Sequence, residues 1–371
     1  MYRRNAVPVG QLMDLDDVDA LLGSAARQPE IRLVRDGSPV SPQRWVRARR
    51  LGGRLVEDLA DPDRIFDEFA NGATVVLQGL HLTWPPMGRW CDRLQREISH
   101  PVQANAYLTP GGAAGLSAHA DDHDVFVVQS VGTKRWDIEG IGQIELRCGD
   151  VLYLPAGTRH AAFAQDGVSL HVTIGVPTVT GGSVVRRALE RLDDERLSLP
   201  LPLGFARRGE ASEELIDAMA AVLDAASIAL ASIDAAQLAA VEAERAHQRP
   251  AAHRTGRLGD LADLSGLGPL SVVRLREDRA PHISMDVASD GRCRVRMSDR
   301  VLLLPTAMTG AVTALLGGAP CRVGELPGLD PDDAVVLSRR LVREGVIEIV
   351  RHDRTRRTGP SRPVEGSSGD G

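Results

Sequence analysis

The sequence predicts an α+β protein built around a β-barrel, flanked by helices and followed by a smaller α+β unit. Three observations predict it. Between about residues 101 and 178, short β-rich runs follow one another closely, divided by Gly, Pro and Asp, the pattern of a barrel or sandwich. From about 183 to 248 the chain is Ala/Leu-rich with few breakers and stops at Pro250. From about 257 to 350, HISMDVASDGRCRVRMS offers a hairpin turning at Asp290-Gly291, and two helical stretches and a closing strand follow.

From 1 to 100, helical stretches such as MDLDDVDALLGSA and DPDRIFDEFANG dominate. A buried strand, ATVVLQGL (73–80), interrupts them, and a helix around MGRWCDRLQREI follows. The barrel strands are QANAYLTP, HDVFVVQSV, KRWDIEG, QIELRCG, DVLYLP and SLHVTIGV. The helices of 183–248 have a broad apolar face, suited to covering the barrel or pairing with a second subunit. TAMTGAVTALLG, DPDDAVVLSRRLVREG and the strand VIEIV resemble a winged-helix unit. The tail 353–371 is polar and rich in Gly, Pro and Ser, and is expected to be disordered.

Composition excludes several classes. The 371 residues carry 44 Lys and Arg against 50 Asp and Glu, so the surface as a whole is not built for nucleic acid, although a local basic patch remains open. Cys91, Cys148, Cys293 and Cys321 form no CxxC pair, which argues for reduced thiols rather than zinc or a disulfide framework. There is no secretory h-region and no apolar run of membrane-spanning length, so no membrane partner and a cytoplasmic location are expected.

The chemistry concentrates in two segments. In GDVLYLPAGTRH (149–160), the spacing G-x5-P-x-G-x2-H is similar to the second motif of the cupin superfamily, where a turn aims the histidine into the barrel mouth as a metal ligand. Upstream lies SAHADDHDVFVVQ (117–129). In an extended strand His119 and Asp121 project from one face. With His160 they make two imidazoles and one carboxylate, the facial set that leaves adjacent iron positions open. Asp121 and His123 share the same parity, so they form a rival pair, with Asp122 and Asp124 on the other face.

Lys134 follows the turn Gly132-Thr133 and shares parity with Trp136 and Ile138. If those face the interior, so does the lysine, and a buried ammonium needs an anion. Parity alone does not exclude a solvated basic turn formed with Arg135.

Together, NAYLTPGGAAGLSAHADDHDVFVVQSVGTKRW and DVLYLPAGTRH resemble the JmjC-type ribosomal oxygenases, cupin-like protein hydroxylases. The resemblance covers roughly 70–180 by motif and reaches 350 by domain order alone. It implies a double-stranded β-helix (cupin/JmjC) barrel over 1–182, a helical dimerisation region over 183–250 and a winged-helix domain over 251–352. It implies Fe(II) on His119, Asp121 and His160, with 2-oxoglutarate and O2 as cosubstrates. Lys134 would hold the far carboxylate of 2-oxoglutarate, Asn105 would line the cosubstrate pocket, and His171 sits where relatives carry a polar residue near it. Ala164 departs from the cupin pattern, which often has asparagine there.

The expected function is therefore hydroxylation of an Arg or His side chain in a protein, plausibly a ribosomal protein, by a homodimer. Two alternatives stand beside it. One is a tailoring hydroxylase of a peptide natural product. The other is a non-catalytic regulator whose barrel senses a ligand and whose winged helix binds DNA. Arg339, Arg340 and Arg343 lack interleaved aromatics, which favours a solvated helix face, and direct nucleic-acid binding is not expected.

Overall fold

A computed structural model describes residues 1–8, 11–24, 26–113, 115–164, 167–190, 200–205, 209, 211–247, 256–276, 283–297 and 299–351. Pro250 and the tail beyond 352 lie outside the described residues. The chain forms two compact units, 1–253 and 254–371.

The first unit begins with β1 (Tyr2–Arg3) and α1 (Leu15–Gly23), whose start is fixed by a reciprocal capping box between Asp14 and Asp17. Strands β2 (Ile31–Arg35), β3 (Ser38–Pro39), β4 (Val46–Leu51) and β5 (Arg54–Ala60) follow. The expectation that helices dominate 1–100 is thus corrected. Arginines at Arg32, Arg35, Arg47, Arg49 and Arg50 interrupt IRLVR and VRARRL, so these strands do not read as apolar runs. Next come α2 (Pro62–Ala70), β6 (Thr74–Leu77), α3 (Leu80–Thr83) and α4 (Pro85–Ile98). The strand expected to reach residue 80 ends at Leu77, because Gly79 takes a left-handed φ of 67° and opens α3.

The barrel strands are β7 (Gln103–Thr109), β8 (Asp124–Val131), β9 (Thr133–Ile138), β10 (Gly142–Arg147), β11 (Val151–Leu154), β12 (His160–Ala164) and β13 (Ser169–Val176). The large sheet runs β1-β11-β8-β13-β7-β6-β2-β3 and the small one β10-β9-β12, with every pairing antiparallel. The two share a core of Val125, Val127, Trp136, Ile138, Leu146, Leu152 and Leu154. This is a double-stranded β-helix of the cupin type. On the outer face of the large sheet, Ala104, Ala106, Leu170, Val172 and Ile174 pack with residues of α1, α2 and α4. The two-residue period of β7 and β13 therefore turns Asn105, Tyr107, His171 and Thr173 inward.

Helices α5 (Gly181–Glu190), α6 (Glu213–Ala231) and α7 (Ala235–His247) complete the unit. Arg187 of α5 pairs with Glu242 of α7. No single described helix is long and apolar enough to cross a membrane.

The second unit comprises α8 (Arg257–Ala262), β14 (Val272–Leu275), β15 (Ser284–Val287), β16 (Cys293–Arg296), β17 (Val301–Leu304), α9 (Thr309–Leu316), β18 (Cys321–Arg322), α10 (Pro331–Glu344) and β19 (Ile347–Ile349). Strands β15 and β16 pair around a turn in which Gly291 has φ 80°. Within α10, Arg339 donates to the carbonyls of Leu267 and Ser265, and Arg340 pairs with Glu344.

Candidate metal centre

The backbone assembles the centre before any side chain is considered. His119 stands outside the regular strands, so the extended strand expected for 117–123 is corrected to an isolated bridge. In that bridge the His119 N–H donates to the His160 carbonyl (3.0 Å) and the His160 N–H to the His119 carbonyl (2.8 Å). Directly opposed residues put their side chains on one face, and the rings lie 4.5 Å apart. The turn between β11 and β12 is tied in as well, because the Gly157 N–H donates to the Asp121 carbonyl at 2.8 Å. Gly157 makes this turn with φ 80°, a conformation that glycine alone adopts freely.

The result is one cluster. Asp121 lies 4.0 Å from His119 Nε2 through one carboxylate oxygen and 3.8 Å from His160 Nε2 through the other. One ligand atom from each of His119, Asp121 and His160 lies within 4.8 Å of the others. The donor chemistry fits a divalent transition metal. His119 Nδ1 is 2.8 Å from the Ser117 carbonyl, and His160 Nδ1 is 2.9 Å from the Thr158 carbonyl. A carbonyl can only accept, so each Nδ1 carries the proton and each Nε2 offers its lone pair toward Asp121. Burial lowers the basicity of His160, partly offset by the Thr158 hydrogen bond, which favours the neutral, ligating form. His123 lines the same cavity but lies outside this cluster. Its Nδ1 is 2.8 Å from Asp122, and a Cβ on Gly175 would fall 2.6 Å from its Nε2.

A second group of polar residues sits deeper. Along β9, exposure alternates strictly, and Lys134, Trp136 and Ile138 are the buried members. Lys134 is 2% exposed, which decides against a solvated turn. Its Nζ donates to Thr109 Oγ1 at 2.9 Å and lies 3.4 Å from His171 Nδ1. Thr109 Oγ1 also accepts from the Thr74 hydroxyl at 3.2 Å. Among the described residues no carboxylate pairs with the ammonium, and burial pulls its pKa down to about 7. His171 is buried, stacked on Tyr107 at 4.9 Å and edge-on to Trp136 at 5.3 Å. Burial first, and the Lys134 charge second, hold it neutral. Asn105 accepts a 3.0 Å hydrogen bond from the Gly79 N–H through Oδ1, which orients its amide along the cavity wall.

All six residues singled out in the sequence thus line one cavity. Thr109, Tyr107 and Thr173 were overlooked, although they share the inward parity of Asn105 and His171. No side chain is described at Ala164, so the departure there has no structural account.

Fold and centre together define a class: a cupin-type barrel with a two-histidine, one-carboxylate metal site. Residues 81–144 and 139–183 match the JmjC domain family. The six residues all fall within these matched stretches. It is 32% identical over 171 residues to the bifunctional lysine-specific demethylase and histidyl-hydroxylase NO66 of Dictyostelium discoideum, covering 38% of this chain and 33% of that one. To the protein of the same name from Branchiostoma floridae it is 39% identical over 120 residues, 31% of this chain and 19% of that one. The chain spans a third or less of the length of these relatives. A solved structure of YcfD, a ribosomal oxygenase from Escherichia coli in complex with cobalt and succinic acid, aligns with 15% identity, a TM-score of 0.48 and 94% coverage of both chains.

Proposed function

We propose that this chain is an Fe(II)- and 2-oxoglutarate-dependent protein hydroxylase. The observation that carries the reading is Lys134, a buried cation that has no acidic partner among the described residues and faces the same cavity as the triad. A triad alone suits many metal cupins, but a dicarboxylate answers both demands at once. One end takes metal positions and the other neutralises the ammonium. His119 and His160 through Nε2, and Asp121 through its carboxylate, would hold the iron. Bound there with 2-oxoglutarate and O2, iron supplies the oxidising power to convert a C–H bond to C–OH, with succinate and carbon dioxide as coproducts.

The chain's own residues do the rest. Lys134 and the Thr109 hydroxyl bind the far carboxylate, and Asn105 lines the cosubstrate pocket with its amide held by the Gly79 N–H. Trp136 and the Tyr107–His171 stack wall the cosubstrate from water, which strengthens the ion pair.

The substrate is a histidine or arginine side chain of a protein. The histidyl-hydroxylase relatives support histidine, and the motif resemblance to ribosomal oxygenases supports a ribosomal protein. The chain acts as a homodimer through α6, whose Ile216, Met219 and Leu223 form an exposed apolar stripe at i, i+3 and i+7. The second unit is of the winged-helix type. The internal pairing of Arg339 and Arg340 weighs against a DNA-reading role for α10.

The test is anaerobic titration of the iron-loaded protein with 2-oxoglutarate, followed by oxygen and measurement of succinate. Succinate formation that survives both His160→Ala and Asp121→Ala overturns the reading. Mass spectrometry of ribosomal proteins treated with the enzyme then tests the substrate, by a gain of one oxygen atom.

A further inference from the structure

The β4–β5 hairpin stands apart from both barrel sheets, in a two-stranded sheet of its own. Residues 44–56, RWVRARRLGGRLV, hold five arginines and no carboxylate, in a chain whose net charge is −6. An isolated ribbon of two strands is marginal in water, and here its base is clamped. Trp45 is buried, its carbonyl accepts from the Asp61 N–H, and Arg64 donates to the Val46 carbonyl. Arg47 pairs with the buried Asp61 at 2.7 Å and Arg44 with the buried Glu68 at 2.7 Å. Those two arginines hold the arm in place.

The outer arginines do something else. Arg49, Arg50 and Arg54 are exposed and make no ion pair among the described residues. The register pairs Arg49 with Val56, Arg50 with Leu55 and Leu51 with Arg54, across a tip in which Gly52 and Gly53 both have positive φ. Arg49 and Arg54 therefore share one face as a diagonal pair, roughly 7–8 Å apart, and Arg50 projects from the other. The ribbon's own carboxylates, Glu57 and Asp58, lie on β5 beyond the Arg49–Val56 pair, toward its base, so the three arginines form a cluster at the tip. Guanidinium forks on both faces fit a partner with phosphates on either side, rather than a flat acidic surface. No exposed aromatic lies on the ribbon to stack a base, so the contact is to backbone and tolerant of sequence.

The arm also leads to the centre along the chain. It follows β3 closely, and the Gly37 turn between β2 and β3 packs against Ser117, whose carbonyl orients His119. We propose that the β4–β5 hairpin docks the phosphate backbone of folded RNA beside the substrate protein. The choice of RNA over DNA rests on the ribosomal reading given above. The expectation against nucleic acid weighed total charge and α10, and neither bears on a local ribbon.

Fluorescence anisotropy with the full-length protein tests this, using a labelled RNA hairpin over a series of KCl concentrations. The variant Arg49→Gln/Arg50→Gln/Arg54→Gln is expected to lower affinity at least tenfold, and to reduce the salt slope by roughly two to three phosphate contacts. Its melting temperature and iron binding should match those of the wild type. Arg89→Gln/Arg93→Gln, which removes an exposed pair on α4, should leave binding unchanged. Binding that survives the triple substitution, tighter binding to duplex DNA, or binding to anionic vesicles or polyglutamate instead of RNA overturns the proposal. The assay needs no turnover. Loss of RNA binding with ribosomal proteins still hydroxylated defeats the arm alone, and unmodified ribosomal proteins with arm-dependent RNA binding defeat the substrate reading alone.

Discussion

The two ends of the cavity solve different electrostatic problems. At the mouth, His119, Asp121 and His160 are organised by backbone, through a reciprocal bridge, a turn amide on Asp121 and a carbonyl on each Nδ1. Asp121 and His119 remain partly open to solvent. At the floor, Lys134 is sealed among Thr109 and His171, with no opposite charge among the described residues. The mouth is pre-set for a cation that the protein can wait for. The floor holds a cation that the protein cannot comfortably keep, and burial answers by making it easier to deprotonate. One end is organised to receive charge and the other to surrender it.

The comparison is broken most severely at the mouth. His160→Ala should reduce succinate formation by a factor of about 100 or more, since loss of a mere outer-shell partner of a metal ligand already costs roughly 10–100-fold. Iron content measured after desalting should fall with it, while the melting temperature of the apoprotein changes little.

Lys134→Met should split two properties that usually move together. Affinity for 2-oxoglutarate, read by anaerobic titration, should weaken about 100-fold, because truncating one side of a buried charge pair costs 2–5 kcal/mol. The apoprotein should become more stable below pH 7, where the wild type buries an unpaired ammonium. The sign follows from the lowered pKa. Between about 7 and the ordinary lysine value the unfolded chain holds a proton that the folded chain lacks, so wild-type stability rises with pH there, by at most about 1.4 kcal/mol per unit. Melting curves from pH 6 to 9.5 should show that slope in the wild type and its absence in Lys134→Met.

A proton count sharpens the same contrast. At pH 8 the free protein holds Lys134 largely neutral, and a bound carboxylate raises its pKa again. Binding of 2-oxoglutarate to the iron-loaded protein should therefore take up close to one proton, measured by calorimetry in buffers of different ionisation heat. No uptake would mean that the lysine is already charged. The smallest effect belongs to Thr109→Val, which removes one hydroxyl from Lys134. A loss of about 1 kcal/mol, or some fivefold in 2-oxoglutarate affinity, is expected.

Legibility in the sequence divides along the same line. Lys134 could be placed because β9 alternates cleanly, and the alternation in TKRWDI is a property of the strand itself. Asn105 and His171 were reached only through the family resemblance, although both lie at inward positions of β7 and β13. His119 and Asp121 were chosen on strand parity, yet the segment forms a single bridge and a loop, and what aligns them is His160, 41 positions away. Parity gave the right neighbours there through the wrong geometry. His123 satisfied the same parity; the family resemblance set it aside in favour of His119, and the physical reason, the pairing of His119 with His160, lies in the cross-chain bridge. The strands β2 and β4 stayed hidden because arginines break up their apolar pattern, and Arg35 and Arg47 find their partners only at distant Glu68 and Asp61. Local periodicity was readable, and partnership across the chain was not.

The bridge between His119 and His160 also decides where this barrel tolerates changes in length. One extra residue between Pro155 and His160 would shift β12 by one position and send the imidazole to the opposite face of its strand. The same insertion between β12 and β13 falls after the bridge and leaves both histidines facing each other. Two connections on either side of one strand thus carry unequal freedom: the first is fixed in length by the metal centre, and the second is open to variation.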